Sequence, residues 1–186
     1  IETGDGVKSV YPSLENGKVV SSKVEMGTPN FIASKIPISV PNISDSDKPK
    51  FQMEILGHKL DITCLSVGNP HAVCIMDDSV DEFPLVEIGS IIEKHDYFPN
   101  RINFEIVNII SRSKIRARVF ERGAGETLSS GTGSTAAASA SRFNGYVDDK
   151  VEVILDGGSL NISWDKNEVA ILEGPSVEVF KGNWPN

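Results

Sequence analysis

Apolar and polar residues alternate along most of the chain, which is the pattern of β-strands with one buried face. The alternating segments are rich in β-branched and aromatic residues, and many end at Gly, Pro, Asn or Asp, as strands commonly do. The pattern therefore predicts about eleven strands. They cover residues 7–11, 18–26, 51–56, 59–67, 72–76, 102–110, 114–121, 151–155, 159–164, 168–172 and 176–180.

Two segments break this alternation and predict helices. Leu85, Ile88 and Ile92 recur at helical spacing, which predicts an amphipathic helix over 84–95 with Pro tolerated in its first turn. The second predicted helix covers 134–143 and stops at the Asn-Gly pair that follows it. Because its first turns consist of Ala and Ser, it can approach a sheet closely, and we expect it to be central and enclosed.

Many strands with two helices embedded in their order predict an α+β fold in which a curved mixed β-sheet wraps a central helix. One stretch, residues 39–50, is polar and rich in Pro, Asp and Ser, and we expect a surface loop there. The sequence shows no internal repeat.

The composition limits the classes of function. The chain has 186 residues, enough for one well-buried core, and its net charge of −8 argues against a nucleic-acid partner. No apolar run reaches the roughly 18 residues of a membrane span, and no signal peptide is evident, so we expect a soluble protein without a membrane partner. The first residue is Ile and not Met, so we expect a processed chain or a fragment.

The only two cysteines, Cys64 and Cys74, lie in apolar strand patterns without zinc-ligand spacing. A buried Cys of this kind usually behaves as a small hydrophobic residue. We therefore expect no disulfide framework, no metal site and a reducing, cytoplasmic location.

The stretch from residue 121 to 138, ERGAGETLSSGTGSTAAA, carries the clearest signal for chemistry. A predicted strand ends there, a glycine-rich loop follows, and a helix begins, which is an arrangement that binds anions through backbone N–H groups. A nucleotide fits poorly, because the loop lacks the Lys of a phosphate-binding loop and has Leu128 where a dinucleotide fingerprint needs Gly. A carboxylate, with Arg122 as a bidentate partner, fits better.

Two further loops combine polar residues with strand ends. The segment SVGNPH contains Asn69 and His71, and the segment FPNRINF contains Asn103. An Asn-Pro pair is common in turns, and a single His or Asn at a strand end is often a turn or capping residue. The residues themselves leave a structural and a functional interpretation open.

Taken together, the motifs resemble the diaminopimelate epimerase family. The matching segments are the TGDG-type start near Thr3, VEMGTP, VGNPHAV, FPNRINFEIV, ERGAGETLSSGTG and GPSVEVFKG, and they follow the family's order. Members of this family are cofactor-independent racemases and epimerases built from two similar domains, each a sheet around a central helix, with the substrate between them. The resemblance implies interconversion of LL- and meso-2,6-diaminopimelate in lysine biosynthesis, without metal or pyridoxal.

The resemblance covers about two thirds of the family's usual length and lacks the front part, which carries the first catalytic Cys of the family. It implies that residues 1–25 and 174–186 are strands of the otherwise missing N-terminal domain. Residues 26–173 would then form the C-terminal epimerase domain. Whether the protein forms a homodimer stays open.

Position by position, the resemblance also implies the site residues. Those assigned to substrate binding are Asn69, Asn103, Glu121, Arg122 and the backbone of Gly131 and Thr132, with His71 and Glu121 supporting the reacting centre. The second catalytic Cys of the family falls on Ser130. A Ser hydroxyl is a far weaker acid than a thiol, so we expect the chain as given to be inactive or impaired.

Three interpretations of Ser130 compete: an engineered replacement of Cys, a natural variant with weak or one-sided activity, or a helix cap in a protein of altered function. The third corresponds to a non-catalytic domain that binds an amino acid. A related racemase or isomerase of the same fold is a further alternative, although the Glu121-Arg122 pair and FPNRINF favour the epimerase branch.

Overall fold

The computed structural model describes residues 1–4, 6–45 and 48–183. Residue 5 of the TGDG motif, residues 46 and 47 of the expected surface loop, and 184–186 of the expected return strand lie outside these described residues. The strands are β1 (Glu2–Thr3), β2 (Gly6–Val7), β3 (Val10–Glu15), β4 (Lys18–Gly27), β5 (Lys50–Ile55), β6 (His58–Ser66), β7 (Pro70–Ile75), β8 (Asn103–Ser111), β9 (Lys114–Glu121), β10 (Gly125–Thr127), β11 (Lys150–Leu155), β12 (Gly158–Trp164) and β13 (Ala170–Pro175). The helices are α1 (Leu85–Ile92), α2 (Gly131–Phe143) and a short 3₁₀ turn at Ala33–Lys35.

Eleven strands form one mixed sheet. Its order is β3-β4-β13-β12-β11-β9-β8-β7-β6-β5, with β10 added beside β9, while β1 and β2 pair only with each other. Two pairs of neighbours are parallel, β7 with β8 and β9 with β11, and the other pairs in the sheet are antiparallel. The parallel pairs need crossovers, and α1 and α2 lie in these two connections.

Helix α2 lies at the centre of the fold. Every residue from Gly133 to Ser141 is buried, and the helix contacts strands β6 to β9 and β11 to β13. A sheet can touch one helix with seven strands only by curving around it. The Ala side chains of α2 pack against Val and Ile residues of the strands in one cluster. The predicted α+β fold, a curved mixed sheet around a small-residue helix, is confirmed.

The opposite face of the sheet packs against α1. Phe98, Phe104 and Ile106 belong to this second cluster, in which α1 contributes Leu85, Ile88 and Ile92. The helix comes very close to β9 at Gly89, where a Cβ atom would lie 2.7 Å from the Phe120 ring. The middle strands are therefore covered on both faces.

Some predicted boundaries differ from the structure. The predicted strand 176–180 is not a strand: the backbone bonding that joins β13 to β4 ends where the Ser176 N–H donates to the Val20 carbonyl. The side chains of Val177, Val179 and Phe180 beyond it are more than four-fifths exposed, so their alternating pattern has no covering layer among the described residues. The predicted strand 7–11 is divided between β2 and β3, and β10 has no counterpart in the prediction.

Helix α2 begins three residues before the predicted start, and α1 is shorter at both ends than predicted. The expected domain boundaries, after residues 25 and 173, fall inside β4 and β13, which pair with each other. No helix among the described residues is long and apolar enough to cross a membrane.

Candidate active site

Ser130 is the N-cap of α2. Its backbone is extended, and its Oγ accepts a hydrogen bond from the Gly133 N–H at 3.2 Å. The same hydroxyl donates to Oε2 of Glu121, at the end of β9, over 3.3 Å. One buried hydroxyl therefore joins the first turn of the helix to a carboxylate.

The glycines of this turn allow the helix to begin so close to the sheet. A Cβ on Gly133 would lie 2.9 Å from Cγ1 of Val119 and 3.1 Å from the Ser130 side chain, so only Gly fits without displacing a neighbour. Gly131 is exposed and Thr132 is half-buried. Backbone N–H groups in the first turn of a helix have no partner within the helix, and the helix dipole favours an anion there. The first turn contains no acidic residue that would occupy this position.

A chain of hydrogen bonds leads from this turn into the sheet. Nδ2 of Asn69 donates to Oγ1 of Thr132 at 3.4 Å, and Oδ1 of Asn69 lies 2.9 Å from Nε2 of His71. Nδ1 of His71 lies 2.7 Å from Oε1 of Glu105. The parallel pairing of β7 with β8 brings His71 and Glu105 together. In this register His71 lies opposite Asn103, and Glu105 lies opposite Val73, two residues further along both strands.

Glu105 is a residue that the sequence reasoning missed. Its side chain is fully buried, and its second oxygen, Oε2, has no hydrogen-bond partner among the described residues. Burial raises the pKa of the Glu105 carboxyl above its ordinary value, His71 opposes that rise, and the charge of Glu121 adds to it. A signal was present in the sequence, because an acidic residue inside a strand that is apolar on both faces requires a partner.

Asn103 uses both ends of its side chain on the backbone. Its Nδ2 donates to the Pro70 carbonyl at 2.9 Å, and its Oδ1 accepts from the Arg122 N–H at 2.9 Å. It thereby fixes the end of β9 relative to the start of β7. The Arg122 side chain is exposed, donates to the Asn100 carbonyl at 3.0 Å, and forms no ion pair among the described residues.

A second buried carboxylate that the sequence reasoning missed supports the loop after Arg122. Oε1 of Glu93 accepts the Gly123 N–H at 2.8 Å, and the Glu93 side chain is almost fully buried. Its position just after α1 gives no sequence signal of contact with the glycine-rich loop. The contact exists because α1 packs against β9.

The structure brings most of the expected site residues to one end of α2. Ser130 and Glu121 form one hydrogen-bonded pair there, and Thr132, Asn69 and His71 form a second hydrogen-bonded set, whereas Asn103 and Arg122 stand at the neighbouring strand ends. Within residues 1–4, 6–45 and 48–183, no hydrogen bond joins His71 to Ser130. A cavity of about 530 Å³, lined by Asn69 and Thr132 together with apolar residues of β3 and β4, opens beside the group.

The two cysteines stand apart from this group. Cys64 on β6 and Cys74 on β7 are buried free thiols in the cluster beside α1. Burial raises the pKa of Cys74 to about 12 and that of Cys64 further still. Both are held in the thiol form. No three His, Cys, Asp or Glu side chains of the described part of the chain come close enough to hold a metal ion.

Comparison with known protein families identifies the family to which the chain belongs. The family model for diaminopimelate epimerase matches residues 63–179, which is more than half of the chain. This chain belongs to the diaminopimelate epimerase family. The matched segment runs from β6 past β13 and so contains the residues of the candidate site. The family is one of isomerases.

Curated relatives cover the rest of the chain. The diaminopimelate epimerase of Desulfovibrio desulfuricans is 42% identical over 99% of this chain. The diaminopimelate epimerase of Methanococcus maripaludis is 43% identical over 98% of it. The chain spans about 65% of the length of each of these two epimerases.

Solved structures share the fold. A probable proline racemase from Agrobacterium radiobacter superposes with a TM-score of 0.62 over 96% of this chain and 59% of its own, at 12% identity. A hydroxyproline epimerase from Agrobacterium vitis gives 0.61 over 93% of this chain and 55% of its own, at 13% identity. At such identities the likeness supports the fold alone. This chain therefore shares its fold with these two proteins.

Proposed function

We propose that the protein containing this chain interconverts LL- and meso-2,6-diaminopimelate in lysine biosynthesis. In this reaction an α-proton is removed on one face of the substrate and another is returned on the opposite face. The observation that carries the proposal is the position of Ser130, where a buried hydroxyl bonded to Glu121 lies beside the first N–H groups of a helix. Such groups have no partner within their own helix. Residue 130 would face the α-carbon, and the helix would hold the α-carboxylate.

Substrate binding follows from the donors at this end of α2. The backbone N–H groups of Gly131 and Thr132, the Asn69 amide and the exposed Arg122 guanidinium can each donate to a carboxylate. Removal of the α-proton leaves negative charge beside the carboxylate. The α2 N-terminus would stabilise that charge without having to reorient, as an oxyanion hole does.

Proton transfer through Ser130 would be slow. For the hydroxyl to act as a base, Glu121 must first take its proton over the 3.3 Å bond, and the resulting alkoxide then takes the α-proton. A Ser alkoxide is rarely formed, whereas a thiol at the same helix start ionises readily. Ser130 therefore predicts weak proton transfer at the substrate face that it would serve, and so weak or one-sided activity of the protein.

Solvent deuterium wash-in at the α-carbon of LL- and meso-diaminopimelate, followed by NMR, tests the proposal on the full-length protein. The Ser130→Cys variant should increase exchange at the face served by residue 130 by about 100-fold or more, because a thiol at a helix start is a far better proton carrier. The matched control is Ser129→Cys, which places a thiol one residue earlier, at an exposed position. Equal exchange in the two variants would exclude residue 130 as a proton carrier.

A second candidate is a domain that binds an amino acid without catalysis. It is favoured by the bond from the Gly133 N–H to Ser130, which is an ordinary capping interaction. This candidate predicts saturable diaminopimelate binding that Arg122→Ala abolishes, with no exchange at either α-carbon. Any diaminopimelate-dependent exchange above background in the Ser130 protein would dismiss it.

A further inference from the structure

Glu105 has no role in the proton transfer proposed above. It is nevertheless the first member of the series of hydrogen bonds that runs through His71 and Asn69 to Thr132 in α2. Both Glu105 and His71 are fully buried, so neither exchanges its partner with water. In the sheet, Glu105 lies between Val73 of β7 and Val119 of β9. Among the residues that the structure describes, the His71 ring is the one polar group in hydrogen-bond contact with this carboxyl.

The direction of each hydrogen bond in the chain follows from the atoms involved. Oδ1 of Asn69 can only accept, so Nε2 of His71 must carry a proton. Nδ1 of His71 and Oε1 of Glu105, 2.7 Å apart, then have one proton between them. Whichever of the two atoms holds this proton, the pair as a whole carries no net charge, which makes its burial tolerable.

The groups around the pair do not disturb this arrangement. Glu121 at the end of β9 acts on Glu105 only through its charge, and Cys64 on β6 is held as a neutral thiol. On helix α2, the buried hydroxyls of Ser134 and Thr135 are bonded to the carbonyls of Ser130 and Gly131 and not to this pair. The proton between Glu105 and His71 is therefore confined to those two residues.

The direction of the bonds determines which end of Asn69 faces the substrate. Because Oδ1 is occupied by His71, Nδ2 points to Thr132, and its second N–H has no partner within the described part of the chain. If His71 lost the proton on Nε2, Asn69 would turn its amide group toward the ring. Its oxygen would then face the anion site and repel a carboxylate.

We propose that Glu105 is a positioning residue which, through His71, fixes the Asn69 amide so that its N–H, and not its oxygen, faces the substrate carboxylate at α2. The identity of that carboxylate rests on the proposed function. The orientation of Asn69 does not depend on it.

The first test follows the proton by long-range nitrogen–proton NMR of the imidazoles. The chain has three His residues, so His58 and His95 serve as internal references. In the unchanged protein, we expect His71 to carry a proton on Nε2. In Glu105→Gln, the new amide can donate to Nδ1, so we expect Nε2 to stay protonated with Nδ1 as a pure acceptor. An unprotonated Nε2 in the unchanged protein, or an Nε2 that loses its proton in Glu105→Gln, would overturn the proposal.

The second test measures diaminopimelate binding to the full-length protein by calorimetry. Glu105→Leu should weaken binding about tenfold or more, because His71 loses its partner and Asn69 its fixed orientation. Glu105→Gln should restore binding to within about threefold of the unchanged protein. Glu126→Gln is the control. It alters a half-buried carboxylate that is paired with Arg118 and takes no part in the hydrogen bonds from Glu105 to Thr132, so it should leave the affinity for diaminopimelate unchanged.

The two tests separate this inference from the proposed function. If the unchanged protein does not bind diaminopimelate while the His71 signals behave as expected, the substrate is wrong and the positioning role stands. If the protein binds and exchanges diaminopimelate but Glu105→Leu binds it as tightly, the positioning role alone is wrong. Should Glu105→Leu fail to fold, the Glu105→Gln spectrum decides the outcome.

Discussion

The hydroxyl of Ser130 has two partners, and they have opposite requirements. As a cap it must accept the Gly133 N–H, and a hydroxyl does this better than a thiol. As a proton carrier it must ionise, and a thiol does this better than a hydroxyl. With Ser at this position we expect a firmly capped helix and weak proton transfer.

Single residues also give the protein a pH-dependent stability. The pKa values of the Cys64 and Cys74 thiols are raised by burial, so above the ordinary thiol pKa only the unfolded chain ionises them. The folded state then binds more protons than the unfolded state, and stability falls as pH rises. Between about pH 8 and about pH 10, we expect a loss of roughly 2 kcal/mol for each thiol.

Urea unfolding at the two pH values measures this loss. Other groups, such as Tyr and Lys, also titrate in this range, and the double variant Cys64→Ala, Cys74→Ala is the control for them. The difference between the two proteins isolates the thiols. An identical pH dependence in the double variant would contradict the assignment.

The candidate site residues could be named from the sequence through the family resemblance, and the structure places Asn69, Ser130 and Thr132 together at the α2 N-terminus. Their roles stay predictions. Glu105 could not be found in this way, because its role depends on the register between β7 and β8. A strand pattern shows which residues are buried but not which strand lies beside them.

Helix α2 owes its position to small side chains and to its own hydroxyls. Ser134, Thr135 and Ser141 each donate to the carbonyl four residues earlier, so these three buried hydroxyls are satisfied without reaching the sheet. The helix can then approach seven strands at close range. Its sequence predicted the enclosed position but not the first turn, because Gly131 and Gly133 are poor helix formers that packing nevertheless places in the helix.

The two glycines of that turn should differ in their tolerance of a methyl group. Gly133→Ala would press a Cβ against Val119 and the Ser130 cap, and we expect a loss of about 1–3 kcal/mol in the free energy of unfolding. Gly131→Ala is the matched control, since its Cβ would meet only Leu172 at 3.4 Å. It should be neutral or slightly stabilising, because Ala is the better helix former. Urea unfolding of both variants measures the difference, and equal losses would contradict this account of the turn.

The whole molecule is a sheet that is covered on both faces in the middle and open at one end. Strands β8 and β9 lie between the α1 and α2 clusters, whereas β3 is an edge strand with mostly exposed side chains. The mixed sheet and its central helix followed from the sequence, since alternation and small-residue content are local properties. The strand order did not, because it depends on contacts between distant segments.

Hydrogen exchange should reflect this gradient. Amides of β8 and β9 can open only with the whole fold, while those of β3 open by local fraying, so we expect rates that differ by about 100-fold or more. Native-state exchange followed by NMR gives both rates in one sample. Equal protection of the β3 and β8 amides would mean that the sheet opens as a single cooperative unit, and it would contradict local fraying of β3.

The pairing of β4 with β13 has a consequence for how the chain reaches its fold. Val24 lies opposite Leu172, so nearly the whole chain must be placed before this contact can close. Contacts of such high sequence separation are slow to form, because loop-closure entropy is lost before they contribute. Among the strands of the large sheet, β3 and β4 leave the ribosome first, yet they can join it only after β13 has been made. The order of synthesis is thus nearly the reverse of the order of assembly at this edge.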